Sequence, residues 1–191
     1  MIRVAIVDDH HAMRLGLHTA LRSEPGIVPV GTASSGAELA PMLYGTQPDV
    51  VLLDYNLPDA DGLALCHRIK ADPPWPAVIL YSAFADVSMT VPAIVAGADG
   101  ILHKGVPARV LFEAIRRVAG GGEALPPVSE PLLEAAGLAL DPEDLPILGM
   151  LLDRTPPHDI ADTLRLEGAE LRHRILRMLA RLKVPVPETA R

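Results

Sequence analysis

Short apolar runs alternate with helix-like patterns along the first two thirds of the chain. The apolar runs predict five strands, at residues 2–7, 27–30, 50–53, 77–81 and 101–103. The spacing of apolar residues predicts five helices, at residues 12–22, 35–44, 63–70, 87–96 and 107–118. Strands that are apolar throughout and alternate with helices form a parallel sheet that is covered on both faces. The pattern therefore predicts an α/β fold with a doubly wound, five-stranded parallel sheet.

The last third of the chain has a different composition. Three consecutive glycines at 120–122 end the fifth helix, and the segment LPPVSEP at 125–131 has the Pro and Ser density of a linker. Beyond it the apolar spacing predicts helices at 142–152, 158–164 and 170–182, with no strand. The predicted organisation is an α/β domain over residues 1–122, a linker over 123–140 and a small all-α domain over 141–191.

Charged and polar side chains follow the predicted strands where each strand ends. Asp8 and Asp9 follow the first strand, Asp54 the third, Ser82 the fourth and Lys104 the fifth. The carboxyl ends of parallel strands form one rim, where ligands of doubly wound sheets bind. Three carboxylates repel one another unless a cation lies between them, and Mg²⁺ prefers oxygen ligands. A free oxygen of Asp54 can then attack a phosphoryl group.

Each of these residues also has an ordinary structural explanation. An Asp at a strand end is common in turns, and the Asp8–Asp9 pair can begin a helix. A lone Lys104 is usually a solvated surface group. The coincidence of these residues at four strand ends favours the chemical interpretation over the structural one.

Composition limits the classes of function and the compartment. The chain has 191 residues, 49% of them hydrophobic, and a net charge of −7, so any contact with nucleic acid needs a local basic patch. The single Cys66 excludes an intramolecular disulfide. No apolar run reaches the ~18 residues of a membrane span, and the acidic start MIRVAIVDDHH does not resemble a signal peptide. A cytoplasmic location, without membrane contact, is expected.

The segments VDDHHAMRLGL, LLDYNLPDADGL, Ser82-Ala83 and ADGILHKG resemble the receiver domain of two-component response regulators. The resemblance covers residues 1–122 and implies that Asp54 accepts phosphate from a sensor histidine kinase. It also implies a Mg²⁺ or Mn²⁺ site, which is formed by Asp8, Asp9, Asp54 and the backbone carbonyl of Asn56. It assigns Lys104 and Ser82 to the phosphoryl group, and the small Ala83 leaves access to it.

Some positions differ from the family pattern. Receiver domains usually have Tyr or Phe three residues before the Lys, as a rotating switch, whereas this chain has Ile101. We expect Ile101 to pack in the core, so the switch would act weakly or by another route. Pro41 in the second predicted helix, which it should kink, and Pro92 in the fourth are also unusual.

The segment at 141–184 resembles the helix-turn-helix output domain of the NarL/FixJ (LuxR-type) regulators. Its last predicted helix has an excess of cationic side chains, and DNA binding requires such an excess. A solvated helix face with mixed charges is the alternative interpretation. The resemblance implies that this helix and the turn before it contact DNA. The candidate DNA-binding residues are Arg165, Arg172, His173, Arg174, Arg177 and Arg181.

This output segment also differs from its relatives. The turn before the last helix carries Glu167 and Glu170, which would repel DNA phosphates. The family has a fourth helix for dimerisation, but the chain ends in LKVPVPETAR, whose prolines oppose a regular helix. A homodimer would therefore form through the receiver.

Three hypotheses follow. The first is a regulator, not an enzyme, that is phosphorylated on Asp54 and controls transcription by binding DNA. The second is a phosphorylation-switched adaptor whose C-terminal helices bind a protein or the receiver itself. The third, a metal-dependent hydrolase, is disfavoured because Asn56 stands where a second acid–base carboxylate would be needed.

Overall fold

The computed structural model describes residues 1–71 and 76–183. Five parallel strands form one sheet in the order β2-β1-β3-β4-β5, which confirms the predicted fold class. The strands are β1 (Ile2–Val7), β2 (Ile27–Ala33), β3 (Val50–Leu53), β4 (Ala77–Ser82) and β5 (Gly100–His103). The direction in which successive strands are added reverses after β2, so the connections on either side of the β1–β3 boundary run to opposite faces of the sheet. The carboxyl ends of β1 and β3 therefore border a crevice.

Nine α-helices are seen in the described ranges. Five belong to the predicted receiver: α1 (His11–Ser23), α2 (Gly36–Thr46), α3 (Gly62–Ile69), α4 (Thr90–Ala96) and α5 (Ala108–Ala119). Four follow it: α6 (Glu130–Ala139), α7 (Leu145–Leu152), α8 (Pro157–Leu164) and α9 (Gly168–Arg181). None of these helices is long and apolar enough to cross a membrane.

Prolines set several boundaries differently from the sequence expectation. The helix expected at 87–96 is a 3-10 turn, Val87–Met89, followed by α4. Pro92 lies in the first turn of α4, where backbone N–H groups have no partner within the helix, so its missing N–H costs little. Pro107 precedes α5 as its N-cap instead of lying in its first turn. Pro41 lies inside α2, which nevertheless continues to Thr46.

The sheet separates two apolar clusters. One lies under α1 and α5 and includes Leu21, Phe112 and Ile115. The other lies under α2, α3 and α4 and continues without interruption into the C-terminal helices. The second cluster therefore holds the α/β part and the C-terminal part together.

Helix α4 is the centre of this shared cluster. All seven of its residues are buried, and it contacts α3 on the receiver side and α6, α7 and α9 on the other. The C-terminal side chains in the cluster are apolar and fully or nearly buried: Ile147, Leu148, Ile160, Leu171, Ile175, Met178 and Leu179. The apolar faces predicted for the last helices thus pack on the receiver as well as on one another.

Helix α6 lies within the segment predicted to be a linker. Ser129, Glu130 and Pro131 begin it, and Ala136 is buried against the shared cluster. An ion pair of 2.7 Å between Glu123 and Arg154 also joins this segment to the turn after α7. Trp75 and the chain end at 184–191, where the sequence predicts no fourth helix, lie outside the described residues.

Candidate functional site

The strand ends converge as the sequence predicts. The Asp54 N–H donates to the Val7 carbonyl at 2.8 Å, and the Lys104 N–H donates to the Ser82 carbonyl at 2.9 Å. These backbone bonds continue the parallel pairing one step past the strands, so the side chains after β1, β3 and β5 enter the same crevice.

The Lys104 ammonium lies between two buried carboxylates. Its Nζ is 2.7 Å from Asp54 Oδ2, to which it donates a hydrogen bond, and 2.6 Å from Asp8 Oδ2. Asp8 is 2% exposed and Asp54 4%, so this contact is shielded from water. One cation thus serves two buried anions, with a third carboxylate, Asp9, beside them.

This arrangement shifts the pKa of both partners upward. Burial raises the pKa of the Asp54 carboxyl, and the hydrogen bond and charge of Lys104 offset only part of that rise. For Lys104, burial acts to lower the pKa, but the hydrogen bonds and charges of Asp54 and Asp8 outweigh it. Lys104 is therefore held as an ammonium beside a carboxylate that is poorly solvated.

The acidic residues fit a divalent cation. Ligand atoms of Asp8, Asp9, His10 and Asp54 lie within 4.8 Å of one another. Asp8 Oδ2 is buried and, within the described residues, accepts no hydrogen bond of normal geometry despite its ion pair with Lys104. An oxygen with a spare lone pair among surplus carboxylates matches the preference of Mg²⁺ for oxygen ligands.

The His10 imidazole touches this acidic group from the surface. Its Nδ1 lies 2.6 Å from Asp9 Oδ1, and its backbone N–H donates to Asp8 Oδ1 at 2.8 Å. The side chain is 70% exposed, so it lies at the rim of the crevice. Asn56, predicted to supply a carbonyl, is exposed in the loop after β3, with its N–H 3.5 Å from Asp54 Oδ1.

Ser82, Ala83 and Ile101 occupy the positions that the sequence suggests for them. Ser82 is fully buried at the end of β4, and its Oγ accepts a hydrogen bond from the Phe84 N–H at 3.1 Å. Ala83 follows it and is exposed. Ile101 is 5% exposed and belongs to the shared apolar cluster, as expected for a core residue.

Gly62 is a residue of the site that sequence reasoning missed. A Cβ at this position would lie 2.4 Å from the Asp54 carbonyl oxygen and 2.7 Å from the Tyr55 Cα. The Gly62 N–H also donates to the Tyr55 carbonyl at 2.8 Å. The loop at 55–61 therefore folds back directly onto the backbone of Asp54, and the Asp61-Gly62 pair is its signal in the sequence.

Two aspartates of this loop fix the neighbouring helices. Asp59 accepts from the first N–H groups of α2, at Gly36 and Ala37, at 2.8 and 2.9 Å. Asp61 caps α3, and its other oxygen lies 2.8 Å from the Lys183 ammonium, beyond the end of α9. The loop beside Asp54 thus contacts the C-terminal part directly.

The candidate DNA-binding residues on α9 are largely paired within the chain. Arg174 donates from Nε to Asp144 Oδ1 at 2.7 Å, and from Nη2 to the Glu143 carbonyl. The Arg174 side chain is 14% exposed and Asp144 is 2% exposed. This pair is buried, and it anchors α9 to the turn before α7.

The other candidates are more exposed. Arg181 lies 2.6 Å from Asp141, and Arg177 lies 3.5 Å from Glu143, each with nearly half of its side chain exposed. His173 is exposed, and Arg165 ends α8 in the left-handed conformation. Arg172 lies near His67 of α3, against the receiver.

Comparisons with known proteins cover both parts of the chain. The family model described as "Response regulator receiver domain" matches residues 4–116. The DNA-binding transcriptional activator DevR/DosR of Mycobacterium tuberculosis is 30% identical over 192 residues, which are 95% of this chain and 88% of that protein. The nitrate/nitrite response regulator NarL of Escherichia coli (strain K12) is 27% identical over 95% of this chain and 89% of its own length.

Solved structures are similar as well. The crystal structure of a two-component response regulator of the LuxR family from Aurantimonas sp. SI85-9A1 has a TM-score of 0.61 and is 25% identical. The similarity covers 70% of this chain and 94% of that one.

Proposed function

The chain belongs to the NarL/LuxR group of response regulators, and we propose that phosphorylation of Asp54 controls its binding to DNA and thereby transcription. The observation that carries this proposal is the bridge of Lys104 between Asp8 and Asp54. A buried site with more anionic charge than its one ammonium neutralises is suited to bind a cation, and the cation together with the ammonium can then hold a phosphoryl group. In the cell we expect the protein in the cytoplasm.

The chemistry follows from the positions of the side chains. An oxygen of Asp54 attacks the phosphorus of a kinase phosphohistidine, the P–N bond breaks, and the histidine regains a proton. The product on Asp54 is an acyl phosphate. Lys104 pairs with its oxygens, and the Ser82 hydroxyl, whose Oγ accepts from the Phe84 N–H, keeps its own O–H free to donate to another phosphoryl oxygen.

Magnesium completes the site in this proposal. Asp8, Asp9, one oxygen of Asp54 and the Asn56 carbonyl would hold the ion, which neutralises charge on the phosphoryl group. Lys104 would then no longer be the main counter-ion of Asp8. The Lys104 ammonium would then be available to the phosphoryl oxygens on Asp54, next to which it already lies.

The proposed DNA-binding surface lies on α9 and the end of α8, where Arg165, His173, Arg177 and Arg181 are exposed. DevR/DosR, which is similar along nearly the whole chain, is by its name a DNA-binding activator. The pairs that Arg177 and Arg181 make are at the surface and weak, so DNA phosphates can replace their partners. Arg174 keeps a scaffold role. A homodimer formed through the receiver would place two such surfaces on one DNA site.

Fluorescence anisotropy on a random duplex pool, with Mg²⁺ and with or without acetyl phosphate, tests the proposal. We expect the affinity of the native chain to rise with the phosphodonor and to fall steeply with salt. Asp54→Asn should remove the donor effect entirely. Asp162→Asn, an exposed carboxylate on α8, removes the same charge and should leave the donor effect intact.

A donor effect of equal size in Asp54→Asn would contradict control through this residue. Absence of DNA binding in all conditions would contradict a DNA-binding function. Phosphate incorporation, followed with radiolabelled acetyl phosphate, separates these two results because it reports on the receiver alone.

One observation favours a second candidate, an adaptor whose C-terminal helices act on the receiver or on a protein. The apolar face of α9 lies on α4. Three of its arginines, Arg174, Arg177 and Arg181, are paired with Asp144, Glu143 and Asp141, respectively. Under this function, the phosphodonor would release the C-terminal helices from the receiver. Hydrogen exchange would then increase in α7 and α9, and no DNA binding would be seen. Salt-sensitive DNA binding would exclude it.

A further inference from the structure

Basic side chains from both parts of the chain meet where the C-terminal helices pack on the receiver. A cavity of about 330 Å³ lies there, between α3 and α4 on one side and α7, α8 and α9 on the other. Four ionisable side chains line its mainly apolar wall: His67 and Lys70 from the receiver, and His158 and Arg172 from the C-terminal helices. Within the described residues, no carboxylate lines it. The interface is therefore poorly suited to accept further positive charge.

The His67 imidazole is buried in this interface. The residue is 8% exposed, and its Nε2 is enclosed and forms no hydrogen bond within residues 1–71 and 76–183. A protonated imidazole is a donor at both ring nitrogens. Protonation would therefore place a charged N–H at Nε2, shielded from water and without an acceptor, and a buried charge without a partner is costly.

The receiver side offers no free carboxylate to this imidazole in the part of the chain that the structure describes. On α3 itself, Lys70 is positive, and its ammonium lies 2.7 Å from Asp99, which it already neutralises. Arg68, the neighbour of His67 on α3, is exposed. Helix α4 has no ionisable side chain. The receiver groups near His67 therefore oppose its protonation.

The C-terminal side opposes protonation as well. Helix α7 has no ionisable side chain, and His158 of α8 is 77% exposed and 3.2 Å from its neighbour Asp159. Arg172 of α9 lines the cavity, and the ion pairs seen on α9 involve other arginines. The carboxylates of α8 and of the start of α9 are exposed and do not line the cavity: Asp159, Asp162, Glu167 and Glu170.

The pKa of His67 reflects these surroundings. Burial, and then the charge of Arg172, lower this pKa from its ordinary value. Once the interface opens and water reaches the imidazole, we expect the pKa to return to about 6.5. The separated form therefore binds a proton more readily than the packed form. The packing is at full strength above about pH 6.5 and weakens as the pH falls from there towards the lower pKa of the packed form.

We infer that His67 is an acid-sensitive switch between the receiver and the C-terminal helices. Protonation of its imidazole shifts the equilibrium to a form in which the two parts separate, so that water hydrates both N–H groups and Arg172 moves away. While the imidazole is neutral, α4 keeps its contacts with α7 and α9. The switch requires neither phosphate on Asp54 nor DNA.

Hydrogen exchange of the full chain at pH 7.5 and 6.0, without phosphodonor or DNA, tests the inference. The reporter is α4, because a helix of seven residues is not stable alone in water and its amides are protected by packing. The native chain is compared with His67→Gln at each pH, so that the chemical exchange rate and the titration of other groups cancel.

We expect the ratio of α4 exchange, native over His67→Gln, to rise roughly three- to fourfold from pH 7.5 to 6.0. This is the change in the opening equilibrium when one proton binds a group whose pKa is about 6.5 in the open form. The amides of α5, which lies over the other apolar cluster, should show no such rise, because the two parts separate without unfolding the receiver.

Further variants assign the effect to this imidazole. His67→Leu should behave as His67→Gln does. His18→Gln, on α1 over the other apolar cluster, removes an imidazole far from the interface and should keep the native pH dependence. Arg172→Gln should reduce the pH dependence, because Arg172 opposes protonation of His67. Circular dichroism checks the fold of each variant.

Four results would overturn the inference. The first is an equal pH dependence of α4 exchange in the native chain and in a folded His67 variant. The second is an equal rise in α5, which indicates unfolding of the receiver instead of separation. The third is the same loss of pH dependence in His18→Gln. The fourth is an unchanged pH dependence in Arg172→Gln, whose exposed position allows this test even if both His67 variants fail to fold. None of these results bears on phosphorylation of Asp54.

Discussion

The receiver and the C-terminal part each contain a buried cation, and the two are balanced differently. In the receiver, Lys104 lies between the carboxylates of Asp8 and Asp54, so negative charge is in excess. In the C-terminal part, Arg174 pairs with Asp144, and the Glu143 backbone carbonyl accepts a further hydrogen bond from Arg174 Nη2. The first group has unused capacity for a cation, whereas in the second one cation faces one buried carboxylate, so the charges balance.

This difference separates a reactive site from a scaffold. A buried ion pair whose charges balance fixes geometry and needs no further charged ligand. A buried group with excess charge is stabilised when a ligand of opposite charge neutralises it. Breaking either group should therefore destabilise the fold, but only the break in the receiver should increase the stabilisation by Mg²⁺.

Lys104→Met should give the largest loss of stability. It leaves two buried carboxylates without a cation, and we expect the free energy of unfolding to fall by about 5 kcal/mol, the upper end for broken buried pairs. Urea unfolding in EDTA measures this loss. Mg²⁺ should restore more stability to this variant than it adds to the native chain, because the metal takes over the role of the ammonium. An identical gain from Mg²⁺ in both proteins would show that the metal does not bind at these carboxylates.

Arg174→Met should cost somewhat less, about 3–4 kcal/mol by the same measurement. Asp144 keeps a distant partner, since Arg177 Nη2 lies 3.8 Å from its Oδ2. Mg²⁺ should add no more stability to this variant than to the native chain. The matched control is Arg177→Met, which removes an exposed pair with Glu143 and should lower the free energy of unfolding by about 0–1 kcal/mol. Equal losses from the two arginines would contradict the scaffold role of Arg174.

Gly62→Ala should cost about 1–3 kcal/mol, as is typical of overpacking. The new Cβ would meet the Asp54 backbone, so phosphate incorporation from acetyl phosphate should slow as well. Gly149→Ala is the control, because a Cβ there meets nothing within 4 Å and the residue lies inside α7. That change should stabilise the chain by about 0.5–1 kcal/mol. A Gly62→Ala variant with native stability and phosphorylation would show that the loop has room to shift.

Asp141→Asn with Glu143→Gln gives the smallest effect, on DNA affinity. Each exposed pair to Arg181 and Arg177 is worth about 0.2–1 kcal/mol, so freeing both arginines should tighten binding by roughly two- to thirtyfold at low salt. Anisotropy measures the change, and Glu130→Gln with Glu134→Gln on α6 removes two charges as a control. Unchanged affinity would place the DNA contact away from these two arginines.

The strands and the receiver site could be predicted because each depends on local signals. An apolar run that ends in Asp54 or Lys104 specifies both a buried strand and the position of the charge at its end. The bridge of Lys104 to Asp8 as well as Asp54 could not be read from the sequence, because it depends on the strand order β1-β3-β4-β5.

The C-terminal part was less predictable because its important contacts are tertiary. Apolar spacing predicted α7, α8 and α9 but did not show that α4 shares their core. The prolines and the one serine of the segment 125–131 predict a linker there, so the sequence interpretation omits α6. Ser129 and Pro131 before Leu132 and Ala136 are nevertheless typical of a helix start. The charge of the α9 arginines predicts DNA contact, but it does not show that these side chains are paired with Asp141, Glu143 and Asp144.

The complete burial of α4 has a consequence for how the chain folds during synthesis. Domains usually fold in order as they leave the ribosome, the amino-terminal one first. Here the outer side of α4 is covered by α7 and α9, which are made later. The nascent receiver therefore presents an apolar surface until Arg181 has emerged, and it completes its core only together with the C-terminal helices.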